Sequence, residues 1–305
     1  MKVSVVIPAY NEAGNIKLIA DQIARQLIGT DSYELIFVDD GSADSTLTEI
    51  KRLAANNNSV KFISFSRNFG HQRALKAGLD HASGDCVISM DADLQHPPEL
   101  INKLIAKWKE GYDVVYTVRK DLKNTRLFKR TTSMFFYKLI NRISDVDIPL
   151  GAADFRLLDK KVVDELRGFK ENSLFIRGLV SWLGYKQTGI EYITNDRHSG
   201  STKYTLMKMI AFAVHGITSF SIIPLRISIL VGFIVSMFAF LYTTYALLTK
   251  FYFKTAIAGW TSILISVLFL GGIQLIFLGV IGEYLGKMFV ESKNRPHYVI
   301  KEKNL

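Results

Sequence analysis

Short apolar runs rich in β-branched residues recur through the first part of the chain, separated by longer stretches with helical spacing. "VSVVI" (3–7), "ELIFV" (34–38), "VKFISF" (60–65), "CVISM" (86–90) and "DVVYT" (113–117) predict strands. Between them, 12–28, 44–56, 71–82 and 97–109 carry apolar residues three and four apart and predict helices. This alternation predicts an α/β unit, a Rossmann-like, mainly parallel sheet with helices on both faces. In such sheets ligands bind beyond the carboxyl ends of the strands. The polar residues that follow each strand are therefore the ones that can carry chemistry.

The last third has a different pattern. Ile227 to Leu248 and Thr255 to Gly282 hold no charged residue. A membrane span needs about 20 mostly apolar residues, so two transmembrane helices are expected, near 227–248 and 257–282. The link between them holds Lys250 and Lys254. Lys208 and Arg226 precede the pair, and Lys287, Lys293, Arg295, Lys301 and Lys303 follow it. More positive charge on the outer flanks than in the link predicts a hairpin with both termini cytoplasmic. The stretch 205–225 is apolar yet interrupted by Gly216 and Pro224, as expected of helices lying in the bilayer interface, with His215 packed among them. The expected organisation is a cytoplasmic unit over 1–204, interfacial helices over 205–225, two spans within 226–289 and a basic tail over 290–305.

A net charge of +10 with 49% hydrophobic residues adds an anionic partner, a membrane, or both. Nucleic acid does not fit, because the basic residues are spread and two spans are present. The single Cys86 rules out a disulfide within the chain and a thiolate-rich metal site, and its apolar neighbours predict a core residue. The apolar run before Pro8 is too short for a signal peptide.

Four polar turns converge on the edge that the strands define: "PAYNE" from Pro8, "DDGSADST" from Asp39, "SRNFGHQRALKAG" from Ser66 and "DADLQ" from Asp91. One such turn alone reads as a helix cap; four together read as a site. Two carboxylates as close as Asp91 and Asp93 repel unless a cation shares them. Ligation by oxygen, without Cys or a His pair, points to Mg²⁺ or Mn²⁺. Strand alternation at the frayed end turns Asp91, Asp93 and Gln95 the same way, so Gln95 can add a third oxygen. The run "TVRKDLKNTRLFKR" (117–130) is basic, and Arg119 and Arg130 are expected to bind an anionic acceptor.

"VVIPAYNE", "VDDGSADST", "RNFGHQRALKAG" and "MDADLQHPPE", followed by "GAADFRLLDKKVV" (151–163) and "RHSGSTKYT" (197–205), resemble the family 2 inverting glycosyltransferases of GT-A fold. The resemblance is to the branch that transfers a sugar from a nucleotide sugar to a polyprenyl phosphate, and it covers nearly the whole chain. It implies that Pro8, Tyr10, Glu12, Asp39 and Asp40 hold the base and ribose. Asp91, Asp93 and Gln95, with Ala92 between the carboxylates, would hold the metal and diphosphate. Asp154 falls at the acceptor side, with Arg156 near it to bind the acceptor phosphate, and Arg197 and Lys203 would close over the diphosphate on the small-residue turn 199–202. Asp154, Asp93 and Arg197 are the expected catalytic residues. The Gln-x-x-Arg-Trp motif of processive members is absent, which argues against polymer synthesis.

The implied activity is inverting transfer of glucose from UDP-glucose to undecaprenyl or another polyprenyl phosphate. GDP-mannose, UDP-GlcNAc or UDP-galactose as donor, and another lipid or a protein as acceptor, stay open. So does the choice between base and orienting group for Asp154. Glycines 271, 272, 279, 282 and 286 permit close helix packing, from which a homo-oligomer is expected.

Overall fold

The computed structural model describes residues 1–119, 152–172, 174–192, 223–251 and 259–305. It divides into two units, Met1–Met209 with Arg295–Leu305, and Ile210–Asn294.

The first unit is built on one sheet of eight strands: β1 (Lys2–Ala9), β2 (Ser32–Asp39), β3 (Val60–Phe65), β4 (Cys86–Ser89), β5 (Val114–Arg119), β6 (Ala152–Asp159), β7 (Gln187–Tyr192) and β8 (Ile300–Asn304). Their order across the sheet is β7-β5-β6-β4-β1-β2-β3-β8. β6 runs antiparallel to β4 and β5, and β8 antiparallel to β3; the remaining pairings are parallel. The α/β, mainly parallel architecture expected from the sequence is thus present, with three strands beyond the five read there. Two of these, β7 and β8, lie at the edges. β8 falls in the segment read as a basic tail.

Helices α1 (Ala13–Gln26), α2 (Thr46–Asn56) and α4 (Leu100–Lys109) cover one face. In α1, Ile16, Ile19, Ala20 and Ile23 recur every three or four residues and are buried against Val3, Val5, Ile7, Leu35 and Phe37. α3 (His71–His81) covers the other face, where a Cβ on Gly78 would lie 2.0 Å from Val6 Cγ1, so only glycine lets the helix approach this closely. α5 (Lys160–Gly168) starts on an Asp159 cap that accepts from the Lys161 N–H at 3.0 Å. α6 (Ile176–Trp182) follows. Cys86 is buried, and burial pushes its thiol up to about 12, as befits a core residue.

The second unit contains α7 (Ile223–Phe251) and α8 (Trp260–Ser292), which touch each other. Windows at Leu225–Tyr242 and Phe269–Ser292 are long and apolar enough to cross a membrane. α7 begins inside the stretch read as interfacial and reaches past Lys250. Residues 205–222 and Lys254 lie outside the described residues.

Candidate active site

The carboxyl ends of β1 to β4 form one edge, and the turns leaving them are bonded to each other. Asn11, in the left-handed region at φ 56°, receives the Ala43 N–H on Oδ1 at 2.9 Å, and its own N–H meets Ser42 Oγ at 3.0 Å. The Glu12 N–H donates to Thr46 Oγ1 at 2.8 Å, and the Glu12 carboxylate accepts from Asn15 Nδ2 at 2.6 Å. Between these anchors Tyr10 is 48% exposed, a large aromatic surface at this turn. Pro8 lies inside β1, opposite Val38.

Asp39 and Asp40 are both buried but do different work. Asp39 accepts from Ser64 Oγ at 2.8 Å and from the Ser42 N–H at 3.1 Å. Asp40 turns to the other side, where its carboxylate takes the N–H groups of Phe69 at 2.7 Å and Gly70 at 2.9 Å. Burial pushes the Asp40 carboxyl up, and those two N–H groups oppose the rise. Asp40 thereby fixes the loop that leads into α3. A Cβ on Gly41 (φ 66°) would lie 2.4 Å from the Arg67 carbonyl carbon, so the same contact admits only glycine.

Past β4 the alternation continues: Asp91, Asp93 and Gln95 are partly exposed, whereas Ala92, Leu94 and His96 are buried. Asp93 Oδ1 accepts from the Gln95 N–H at 3.1 Å, which shapes the turn around Leu94 at φ 60°. Among the described residues no group of three or more His, Cys, Asp or Glu side chains could hold a metal ion. Asp91 and Asp93 still fit Mg²⁺ or Mn²⁺ as an open site. Such ions take one or two protein carboxylates and complete their shell with water and substrate phosphates.

Asp154 comes to the same edge by register. β4 and β6 pair antiparallel as far as Ser89 opposite Arg156. Two residues further in each direction stand Asp91 and Asp154. Ser89 Oγ donates to the Asp154 carbonyl and holds this crossing. Asp154 is 8% exposed, and its carboxylate receives Arg177 side on, Nε to Oδ1 at 2.6 Å and Nη2 to Oδ2 at 2.9 Å. Gln72 Nε2 donates to Oδ2 at 3.3 Å. His71 Nε2 stands 3.5 Å from Asp154 Oδ2 and 3.4 Å from Asp91 Oδ1. Burial opposes the charge on Asp154, but His71 and Arg177 outweigh it and hold the carboxyl well below the usual carboxylate range. His96, packed on Phe155 with ring centroids 5.2 Å apart, has its Nδ1 3.8 Å from Asp91 Oδ2 and without a hydrogen-bond partner among the described residues.

Arg156 is 3% exposed; its Nη2 donates to the Ala153 carbonyl at 2.9 Å and lies 3.8 Å from Asp154 Oδ1. Burial lowers the guanidinium to about 10, against the pull of Asp154, so it stays charged at neutral pH. It sits within the sheet rather than on an open surface. Arg119 ends β5, opposite Tyr192. Arg130, Arg197 and Lys203 lie outside the described residues. Three residues at the edge were not singled out from the sequence. His71 and Gln72 stand inside "RNFGHQRALKAG", and Arg177 is a lone charge in the apolar "LFIRGLVSW". A charge in such surroundings signals a buried partner.

Residues 4–167, which hold this edge apart from Arg177, match a family model for glycosyl transferase family 2. The chain belongs to that family and is a glycosyltransferase. It is 45% identical to an uncharacterized glycosyltransferase, YkcC, of Bacillus subtilis, an alignment covering 98% of this chain and 93% of the relative. It is 43% identical to a prophage bactoprenol glucosyl transferase homolog of Escherichia coli, covering 99% of each chain. To the bactoprenol glucosyl transferase of Shigella phage SfV it is 42% identical, over 99% of this chain and 98% of that one.

Proposed function

We propose that the protein transfers glucose from UDP-glucose to a polyprenyl phosphate, undecaprenyl phosphate being the acceptor of choice, with inversion at the anomeric carbon. The observation that carries this reading is Asp154 held anionic beside Asp91 at the edge where the nucleotide turns converge. The likeness to bactoprenol glucosyl transferases supports it, because it runs through both membrane-length helices.

In this reading Tyr10 and Asp39 receive the base and ribose. A divalent cation at Asp91 and Asp93 would neutralise charge on the departing diphosphate, with Gln95 beside it. Arg197 and Lys203 close over the same group. The acceptor needs no base, since a phosphate monoester with a second pKa of about 6 is already largely anionic at neutral pH. Asp154 agrees with that chemistry, because a carboxylate gripped by Arg177 accepts a proton poorly. It orients its neighbours instead. A phosphate oxygen attacks the anomeric carbon as the bond to the diphosphate breaks, and an α-linked donor yields a β-linked lipid. Arg119 and Arg130 bring the anionic acceptor beside the anionic donor.

We place the protein in the cytoplasmic membrane, with α7 and α8 crossing it as a hairpin. Strand β8, after α8, pairs with β3 in the sheet that also holds the N-terminal strands. A chain that leaves this sheet and returns to it must cross an even number of times, which supports two spans with both termini on one side. Among the described residues, a Cβ added at Gly271, Gly272, Gly279, Gly282 or Gly286 would meet nothing within 4 Å beyond the helix's own backbone, which leaves room there for a second copy.

The test is transfer of radiolabelled sugar from UDP-glucose to undecaprenyl phosphate in detergent, with Mg²⁺ or Mn²⁺ and with EDTA, alongside Asp93→Ala. Metal-dependent labelled lipid, absent with the variant, is expected. Label from GDP-mannose, UDP-GlcNAc or UDP-galactose alone would change the donor. Nucleotide binding without labelled lipid from any donor would overturn the acceptor.

A further inference from the structure

Arg177, Gln72 and Asp154 form a closed ring of contacts. Arg177, the second residue of α6, grips both Asp154 oxygens, at 2.6 and 2.9 Å. Gln72 of α3 donates to Asp154 Oδ2 at 3.3 Å, and its Oε1 accepts the N–H of Ile176, the first residue of α6, at 3.2 Å. One α3 side chain thus ties down both the carboxylate and the start of the helix that carries its guanidinium partner. A two-point guanidinium–carboxylate contact fixes direction as well as distance. Beside Gln72, His71 spans Asp154 and Asp91 at 3.5 and 3.4 Å. Any rotation of the Asp154 carboxylate changes where that imidazole stands against Asp91.

We propose that Arg177 is a positioning residue for the transfer reaction: by fixing the Asp154 carboxylate it sets the His71 imidazole against Asp91, at the end of β4 where the diphosphate is held. This rests on the function proposed above. Arg177 acts through Asp154, so its loss misplaces groups in the transition state and spares donor recognition by the Tyr10 and Asp39 turns.

The test uses the full-length protein in detergent, with UDP-glucose and undecaprenyl phosphate. Arg177→Ala is expected to lower kcat about 10- to 100-fold, with the KM for UDP-glucose changed by less than about threefold. Arg177→Lys should recover part of the rate, and millimolar guanidinium added to Arg177→Ala should recover part as well. In an Asp154→Asn background the Arg177→Ala change should cost little more, because both break one contact. If Asp154→Asn leaves no measurable rate, guanidinium rescue and the lysine variant decide. If Arg177→Ala does not fold, Arg177→Lys and Gln72→Ala, each with a smaller loss of kcat, carry the test. An unchanged kcat overturns the proposal. So do losses that multiply in the double variant, or a raised KM for undecaprenyl phosphate alone, since Arg177 would then touch substrate itself. A wild-type protein that makes no glycolipid overturns the function proposed above instead, a result distinct from these.

Discussion

At the amino end of the parallel strands, Glu34 is 1% exposed and accepts from Ser4 Oγ at 2.6 Å, from the Ser83 N–H at 2.7 Å and from Lys61 Nζ at 2.8 Å. Ser4 Oγ in turn accepts the Gly84 N–H at 2.8 Å, and a Cβ on Gly84 would lie 2.7 Å from the Ser4 nitrogen. At the carboxyl end Asp154 is similarly buried and partnered, yet its surroundings are left open. Asp91 keeps 34% of its side chain exposed, and the buried Nδ1 of His96 has no hydrogen-bond partner among the described residues. The two ends use the same residue chemistry for different purposes. Glu34, walled in by donors of its own chain, holds the fold, whereas Asp154, partnered as fully, stands beside a part-exposed carboxylate that can hold something that arrives.

The largest effect should come from the open end. Asp91→Asn keeps the shape and removes the charge, and transfer should fall by about 10²- to 10³-fold. Its melting temperature should stay near the parent's, because the side chain is part exposed. A variant that kept its rate but melted early would make this end structural too.

The closed end should respond in the opposite way. Burial alone would push the Glu34 carboxyl up, but Lys61, Ser4 and Ser83 together outweigh it and hold it down to about 2. Its folded pKa lies below its unfolded value, so the stability it contributes is present above the ordinary carboxylate pKa of 4.5 and is lost as pH falls towards 2. Glu34→Gln should destabilise the fold by about 3 kcal/mol at neutral pH. It should also flatten the stability curve between those values, with the rate per folded molecule unchanged. Thermal unfolding across acid pH, measured beside the transfer assay, separates the two quantities.

The same contrast explains what could be read in the sequence. β1 to β4 are buried on both faces and appear as apolar runs. β7, "QTGIEY", and β8, "IKEKN", lie at the sheet edges with one face in solvent, so neither forms an apolar run. The "DADLQ" turn was legible because strand alternation persists past Ser89, which predicts that Asp91, Asp93 and Gln95 share a side. "DDG" was legible only as a pair. Which carboxylate faces the edge and which holds Phe69 and Gly70 depends on loop 66–70, distant in sequence from β2. The meeting of Asp154, His71 and Arg177 depends on an antiparallel register between strands 63 residues apart, 89 to 152, which no local pattern encodes.

The tail offers the smallest and sharpest test of the comparison, since it belongs by position to neither end. β8 covers the β3 edge, which would otherwise present unpaired backbone groups. Tyr298 just before it stacks on Phe65 with centroids 5.0 Å apart and donates its hydroxyl to Asp80 Oδ2 at 3.0 Å. Burial and the neighbouring Asp80 push the phenol up, so it remains a donor at neutral pH. Asp80 also holds the buried Lys76 and keeps that partner if the hydroxyl is removed. Tyr298→Phe should therefore cost about 1 kcal/mol of stability and leave transfer unchanged, the behaviour of a closed region. A path to the open end does exist, because Phe65 meets Phe69 edge-on at 5.6 Å and the Phe69 N–H is held by Asp40. If Tyr298→Phe lowered kcat with no loss of stability, that path would be conducting, and the tail would belong with the site rather than with the scaffold.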